Sequence, residues 1–183
     1  VYPGSPIIAR RLLRRGDQLI VNELHPDDHA RLKELFTGDP QTKVLNLDGW
    51  AALKALLPPK ERRGIVLVDP PFEEPGEFER LAAGLPAAHR RFATGTFLLW
   101  YPIKNPSIAR SFHNALAALG LTKLLFAELY IRAPMNPEIL NGTGLVILNP
   151  PFTLYDKLAT LLPFLTQTLA SGPQPSHRLG WLS

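Results

Sequence analysis

Short runs of β-branched and apolar residues alternate along the chain with stretches whose apolar positions recur at helical spacing. That order is expected of an α/β protein built on a mainly parallel sheet. The runs QLIVNEL (18–24), KVLNL (43–47), GIVLVD (64–69), TFLLWYP (96–102), KLLFAELYI (123–131) and GLVILN (144–149) are predicted strands, and HRLGWL (177–182) is a last short one. Between them the punctuation predicts helices. One has Ser5 as N-cap, Pro6 in its first position and Gly16 as its stop; another is opened by Asn105 and Pro106 and closed by Gly120. Further helices are predicted over 27–36, 49–57, 75–90 and 153–170. In the helix after Pro106, Ile108, Phe112, Leu116 and Leu119 recur at helical spacing and are assigned to the core. Most of the 19 prolines fall at element ends and leave this pattern intact.

The runs at 123–131 and 144–149 have only the loop RAPMNPEILNGTG between them, with no helix to carry a parallel crossover. They are predicted to pair as an antiparallel hairpin at one edge of the sheet. A mainly parallel sheet ending in such a hairpin resembles the Rossmann-like plan of the class I S-adenosylmethionine-dependent methyltransferases, a fold analogy that says little about chemistry alone.

With 183 residues, 45% of them hydrophobic and 20% charged, the chain suits a single domain over 1–183. No window holds the roughly 18 uninterrupted apolar residues of a membrane helix, and the start lacks the pattern of a signal peptide, so no membrane partner and a cytoplasmic location are expected. The absence of cysteine removes disulfides, thiolate nucleophiles and cysteine-zinc sites together. His25 and His29, in HPDDH, lack the glutamate of a zincin helix, and no metal is expected. The net charge of +4 permits a polyanionic partner. The cations cluster at Arg10, Arg11, Arg14 and Arg15, at Lys60, Arg62 and Arg63, and at Arg90 and Arg91 after His89. Each cluster reads either as a solvated helix face or, with the others, as part of a phosphate-binding surface.

In an open α/β sheet, ligands bind beyond the carboxyl ends of the strands. Three runs end in acids: the first in Glu23, the second just before Asp48 and Gly49, and the third in Asp69, Pro70, Pro71 and Phe72. Glu23 suits the diol of a ribose, or starts a turn. Asp48 suits an adenine amino group, with Gly49 admitting the ring, or caps the helix that follows. The third corner is the more specific one. Methylation of an exocyclic adenine amine needs acceptors for both amine hydrogens, because the nitrogen lone pair is delocalised into the ring. Asp69 can accept one hydrogen and the main-chain carbonyl of Pro70 the other, the prolines keep the stretch stiff, and Phe72 can stack on the base for about 1–3 kcal/mol. The competing reading is a strand that simply stops where proline ends its ladder. LVILNPPF (145–152) repeats the motif with Asn149 in place of the acid. If this last strand is inserted parallel to its neighbours, Asn149 reaches the active-site edge away from the other acids, as a structural or substrate-facing residue.

YPGSPIIA, ELHP, the DGW turn, LPP with RRG, DPPF, RRFATGTFLLWYP and LVILNPPF, in that order from Tyr2 to Trp181, resemble the ribosomal RNA large subunit methyltransferase J family. The resemblance implies S-adenosylmethionine-dependent N6-methylation of an adenine in 23S ribosomal RNA, and a monomer is expected. It also implies that Ser5, Glu23, Asp48 and Gly49 contact S-adenosylmethionine, and that Asp69 borders both the cofactor and the target amine, with Pro70 and Phe72 completing the catalytic clamp. The family carries a first strand and glycine-rich turn ahead of the YPGSP segment, and both are missing here. The chain is therefore expected to be the C-terminal portion of a longer domain, with a sheet open in the middle, weakly stable by itself and poor at holding cofactor. Methylation of DNA adenine, and a noncatalytic RNA-binding fragment, are the alternatives.

Overall fold

A computed structural model of the chain describes residues 3–73 and 75–182. They fall into two compact units, Val1–Leu56 and Leu57–Ser183.

The first unit contains α1 (Ser5–Leu12), β1 (Leu19–Asn22), α2 (Pro26–Leu35), β2 (Thr42–Leu45) and α3 (Gly49–Leu56). The strands are parallel, with Leu19 opposite Thr42 and Asn22 opposite Leu45, and α2 is the crossover that parallel pairing requires. That helix starts where the sequence asks it to, with Pro26 in its first turn beside Asp27 and Asp28, whose charges suit a helix N-terminus. At α1 the N-cap is Gly4 and Ser5 is the first helical residue, with no side-chain cap, which corrects the predicted role of Ser5 there. Ala52 is the one buried hydrophobic residue described in this unit. Polar ties hold much of the rest. Arg10 grips Asp39 through Nε and Nη2, Asp39 also accepts from the Gln41 amide and the Thr42 hydroxyl, and Gln41 donates to the carbonyls of Arg14 and Asp17.

The second unit contains β3 (Ile65–Val68), α4 (Glu77–Arg91), β4 (Thr96–Ile103), α5 (Pro106–Ala117), β5 (Leu124–Tyr130), β6 (Gly142–Leu148), α6 (Leu154–Thr168) and β7 (Ser176–Trp181). Its five strands stand in the order β3-β4-β6-β5-β7. Only β3 and β4 pair in parallel; β6 is antiparallel to both β4 and β5, and β7 is antiparallel to β5. The expected hairpin forms, with β7 rather than the hairpin at the sheet's margin. The direction of β6 overturns the expectation of a parallel inserted strand. No ladder joins β1 or β2 to these five strands among the described residues.

Burial follows from position in the sheet. β4 alternates, with Phe97, Leu99, Tyr101 and Ile103 buried on one face, whereas β5, flanked on both sides, is buried at every residue. Phe78 of α4 and Phe112 of α5 meet Tyr101, at ring centroids 6.1 and 5.4 Å away, so both helices cover that face. Phe126 of β5 touches His113 of α5, while Trp181, level with the neighbouring residue Leu125, stacks on Tyr155 of α6. Alternation therefore puts α6 on the opposite face. In α5 the buried stripe is Ala109, Phe112, His113 and Leu116; Ile108 is exposed, so the stripe lies one residue further round than expected. Asn105 caps this helix by accepting from the Ser107 amide, and Gly120 closes it at φ +67°. Gly144 has no room for a Cβ because the Tyr101 ring lies against it. Pro86 and Pro163 lie inside α4 and α6, so not every proline marks an element end. No helix among the described residues is long and apolar enough to cross a membrane.

Candidate active site

In the first unit, the loops beyond the carboxyl ends of β1 and β2 carry three of the predicted ligand residues. Two asparagines lace these loops together: Asn22 donates to the Leu47 carbonyl and accepts from its amide, and Asn46 donates to the carbonyls of Glu23 and Leu24. Glu23 accepts from the His25 amide through Oε1 at 2.8 Å, so it does start a turn. Asp48 accepts from the Ala51 amide through Oδ1 at 2.8 Å, so it does cap α3. Among the described residues nothing bonds the second oxygen of either carboxylate, so each acid keeps an unused acceptor. A Cβ on Gly49 would meet nothing within 4 Å, which leaves open space beside Asp48. These acceptors fit a nucleoside, with Glu23 offered to a diol and Asp48 to an amine. Ser5 is exposed at the start of α1.

The acidic corner follows β3 in the second unit. Asp69 is at the surface and no described residue hydrogen-bonds its carboxylate, yet the surrounding protein removes enough water to push its pKa above the ordinary carboxylate value. Three residues on, Phe72 holds a left-handed backbone at φ +53°, a conformation costing a residue with a side chain roughly 1–3 kcal/mol. Aromatic packing offsets that strain. The half-buried Phe72 ring lies 4.9 Å from Phe78 and 5.9 Å, edge-on, from Trp100. Since Val68 is level with Leu99, Trp100 is level with Asp69 on the adjoining strand. Phe78 and Trp100 therefore belong to the site, although apolar periodicity marks them only as helix and strand residues. Glu77, buried in the first turn of α4, bonds Arg80 through Oε1 and leaves Oε2 without a partner among the described residues.

The second copy of the motif is elsewhere. Because β6 runs against β4, its carboxyl end reaches the start of β4, where Leu148 is level with Phe97. Asn149 has φ +54°, and its amide donates to the carbonyls of Ala93 and Gly95 at 2.9 and 3.0 Å. It is a structural clasp at the sheet edge opposite Asp69, which corrects its expected place at the active-site edge. Phe152 is 95% exposed.

The basic clusters are partly spent in ion pairs. Arg10 is tied to Asp39 and Arg14 to Asp17, and Arg91 reaches the Leu57 carbonyl. A different polar cluster lies under α5. Glu128, fully buried, accepts from the hydroxyls of Tyr101 and Tyr130 at 3.2 and 3.0 Å and from Arg178 at 3.0 Å, while Tyr101 also bonds His113 Nε2 at 2.7 Å. A neutral His113 protonated at Nε2 satisfies every member, since it donates to the tyrosine oxygen whose proton serves Glu128. Burial lowers the pKa of His113 in keeping with that state.

Fold and site thus define an α/β protein with a mixed sheet and an acid-proline corner beside paired aromatics. Over residues 1–183 the chain matches the family described as ribosomal RNA large subunit methyltransferase D, RlmJ. It is 37% identical to the ribosomal RNA large subunit methyltransferase J of Haemophilus influenzae and 37% identical to that of Escherichia coli, with 100% and 99% of this chain covered. A crystal structure of a Legionella pneumophila protein superposes with a TM-score of 0.89 at 33% identity, over 98% of this chain and 66% of that one. The chain belongs to this methyltransferase family and spans 65% of the length of those two curated relatives.

Proposed function

We propose that this chain is the substrate-binding and part of the cofactor-binding portion of a class I, Rossmann-like enzyme that methylates the N6 amine of an adenine in 23S ribosomal RNA. The observation that carries the reading is Asp69: an unbonded, partly desolvated carboxylate beyond a parallel strand, next to a proline carbonyl and level with Trp100. S-adenosylmethionine, when bound, supplies an electrophilic methyl group. Ser5, Glu23, Asp48 and Gly49 would hold it, Glu23 at the ribose diol and Asp48 at the adenine amine.

The amine is where the protein does its work. Asp69 Oδ and the Pro70 carbonyl accept its two hydrogens, and as both bonds strengthen the nitrogen lone pair withdraws from the ring and becomes nucleophilic. Positive charge then develops on nitrogen beside a carboxylate in a partly water-poor corner, where the interaction is stronger than in bulk water. The surplus proton leaves through Asp69 Oδ. Phe72, braced by Phe78 and Trp100, offers a stacking surface that fixes the base relative to the two acceptors.

The test is methyl transfer to unmodified 23S RNA by the protein as the cell makes it, with single-stranded DNA of the same sequence as competitor. Asp69→Ala is expected to lower the rate about 10²–10³-fold, the usual consequence of deleting one transition-state partner. Wild-type rates in that variant sink the role of Asp69, and equal use of DNA moves the substrate class to nucleic acid in general.

A further inference from the structure

A second feature of the substrate face lies away from the acidic corner. Between α5 and β7 is an open groove of about 450 Å³, lined by Arg110, Ser111, His113, Asn114, Phe126 and Arg178 among others, with no acid on its surface. Arg110 is exposed and has no ion-pair or hydrogen-bond partner among the described residues, and the Ser111 hydroxyl and Asn114 amide are equally unengaged. Arg178 gives one nitrogen to buried Glu128, and its guanidinium lies over the Phe126 ring at 5.4 Å. Stacked in that way, with its side chain 45% exposed, it still presents part of its guanidinium to the groove.

One end of this groove opens at the sheet edge that carries Asp69. Helix α5 begins just beyond the carboxyl end of β4, at the same sheet edge as Asp69, and Arg178 is level with Glu128 near the carboxyl end of β5. From β3 to β7 there are four strand steps, about 19 Å at the usual spacing, which a few nucleotides of extended strand cover. Exposed Lys104, at the end of β4, stands along that edge between them.

We propose that the groove between α5 and β7 docks the phosphodiester backbone of the RNA strand whose adenine enters the Asp69 corner, with Arg110 and Arg178 on the phosphates and Ser111 and Asn114 supporting them. The inference rests on the ribosomal RNA methylation reading and extends it to a subsite. Two arginines on separate elements suit a phosphate's several oxygens, and hydroxyl and amide groups beside them are the ordinary company of a nucleic-acid backbone.

Arg110 is the residue to change, because removing Arg178 also strips a buried carboxylate of its cation. Binding of the protein as the cell makes it to a 23S RNA fragment is followed by fluorescence anisotropy over a series of KCl concentrations. Arg110→Glu is expected to weaken binding about tenfold or more, and Arg110→Ala to reduce the slope of log K against log salt by roughly 0.7–0.9, one phosphate's worth. Arg110→Lys restores the slope, and Lys157→Ala, on α6 across the sheet, leaves affinity unchanged. Wild-type affinity and slope in Arg110→Glu overturn the groove. If that variant binds and methylates RNA as the wild type does, the groove alone falls; a wild-type protein that binds no RNA removes both the groove and the reading it rests on.

Discussion

Replacing Arg178 with alanine tests whether the buried polar cluster under α5 is organised by charge. Glu128 has no exposed surface, and its three donors are two tyrosine hydroxyls and one guanidinium. Arg178→Ala leaves a buried carboxylate with neutral partners only. For a fully buried pair that loss is about 3–5 kcal/mol. Here the arginine side chain is 45% exposed, so water can enter the space it vacates, and the loss falls toward that of a charged hydrogen bond, about 1.5–3 kcal/mol. The expected destabilisation is therefore about 2–3 kcal/mol, or roughly 5–10 °C in Tm for a chain of this size. Urea unfolding followed by circular dichroism and tryptophan fluorescence measures it. The double variant Glu128→Gln with Arg178→Ala removes the stranded charge and should recover at least about 1 kcal/mol relative to the sum of the two single changes.

The same substitution has a second readout at His113, whose pKa is lowered first by burial and further by Arg178, against the opposing pull of Glu128. Loss of the guanidinium should move the His113 titration upward in an NMR pH series. The sign for stability follows. A histidine whose folded pKa lies below the ordinary value of about 6.5 contributes in full above that value, and the contribution is lost as pH falls below it, because the unfolded chain takes up the proton first. Arg178→Ala should make that acid-side loss shallower. A variant within about 0.5 kcal/mol of wild type, or singles that simply add in the double, would refute a charge-organised cluster.

Two further outcomes follow from the strand ends. The raised pKa of Asp69 means that the folded protein holds this proton more tightly than the unfolded chain does. Wild-type stability should thus decline as pH rises from the ordinary carboxylate range to the raised value; Asp69→Asn should lack that decline in denaturant titrations at several pH values while losing methyl transfer. Asn149→Asp replaces a donor to two carbonyls with an acceptor facing them, and should cost about 1–3 kcal/mol in denaturant unfolding, while the methyl transfer proposed for the Asp69 corner persists per folded molecule.

Local periodicity made most of the fold legible. Each predicted strand and helix forms within a few residues of its expected bounds, because alternation in β4 and the Asn105-Pro106 start of α5 are properties of neighbouring residues. The departures have local causes. Gly4, not Ser5, takes the extended conformation before α1, and the face of α5 that meets Tyr101 and Phe126 runs through Ala109 and His113, leaving Ile108 outside. What depends on distant partners was not legible. Glu128 reads as one acid in an apolar strand until Tyr101 and Arg178, 27 residues before it and 50 after, are seen to converge on it. Trp100 and Phe78 likewise become site residues only through the turn that brings Phe72 against them.

The two near-identical corners, DPPF and NPPF, show why a motif must be read with its strand's direction. Beyond β3 the corner stands at the carboxyl edge of a parallel pair, where nothing in the second unit bonds the side chain, so a carboxylate remains available as an acceptor. Beyond β6 the chain runs the other way and the same corner meets two backbone carbonyls, Ala93 and Gly95, which need donors. Exchange the two residues and each place loses something different. An amide at 69 would keep one acceptor oxygen but bring no negative charge to an incoming amine, and a carboxylate at 149 would face oxygens it cannot satisfy. The backbone differs accordingly: the left-handed residue is Phe72 in the first corner, where it aims a ring at Phe78 and Trp100, and Asn149 in the second, where it aims an amide at the sheet edge. One acid-to-amide difference thus separates a corner whose side chain is left unbonded from one closed on its own backbone.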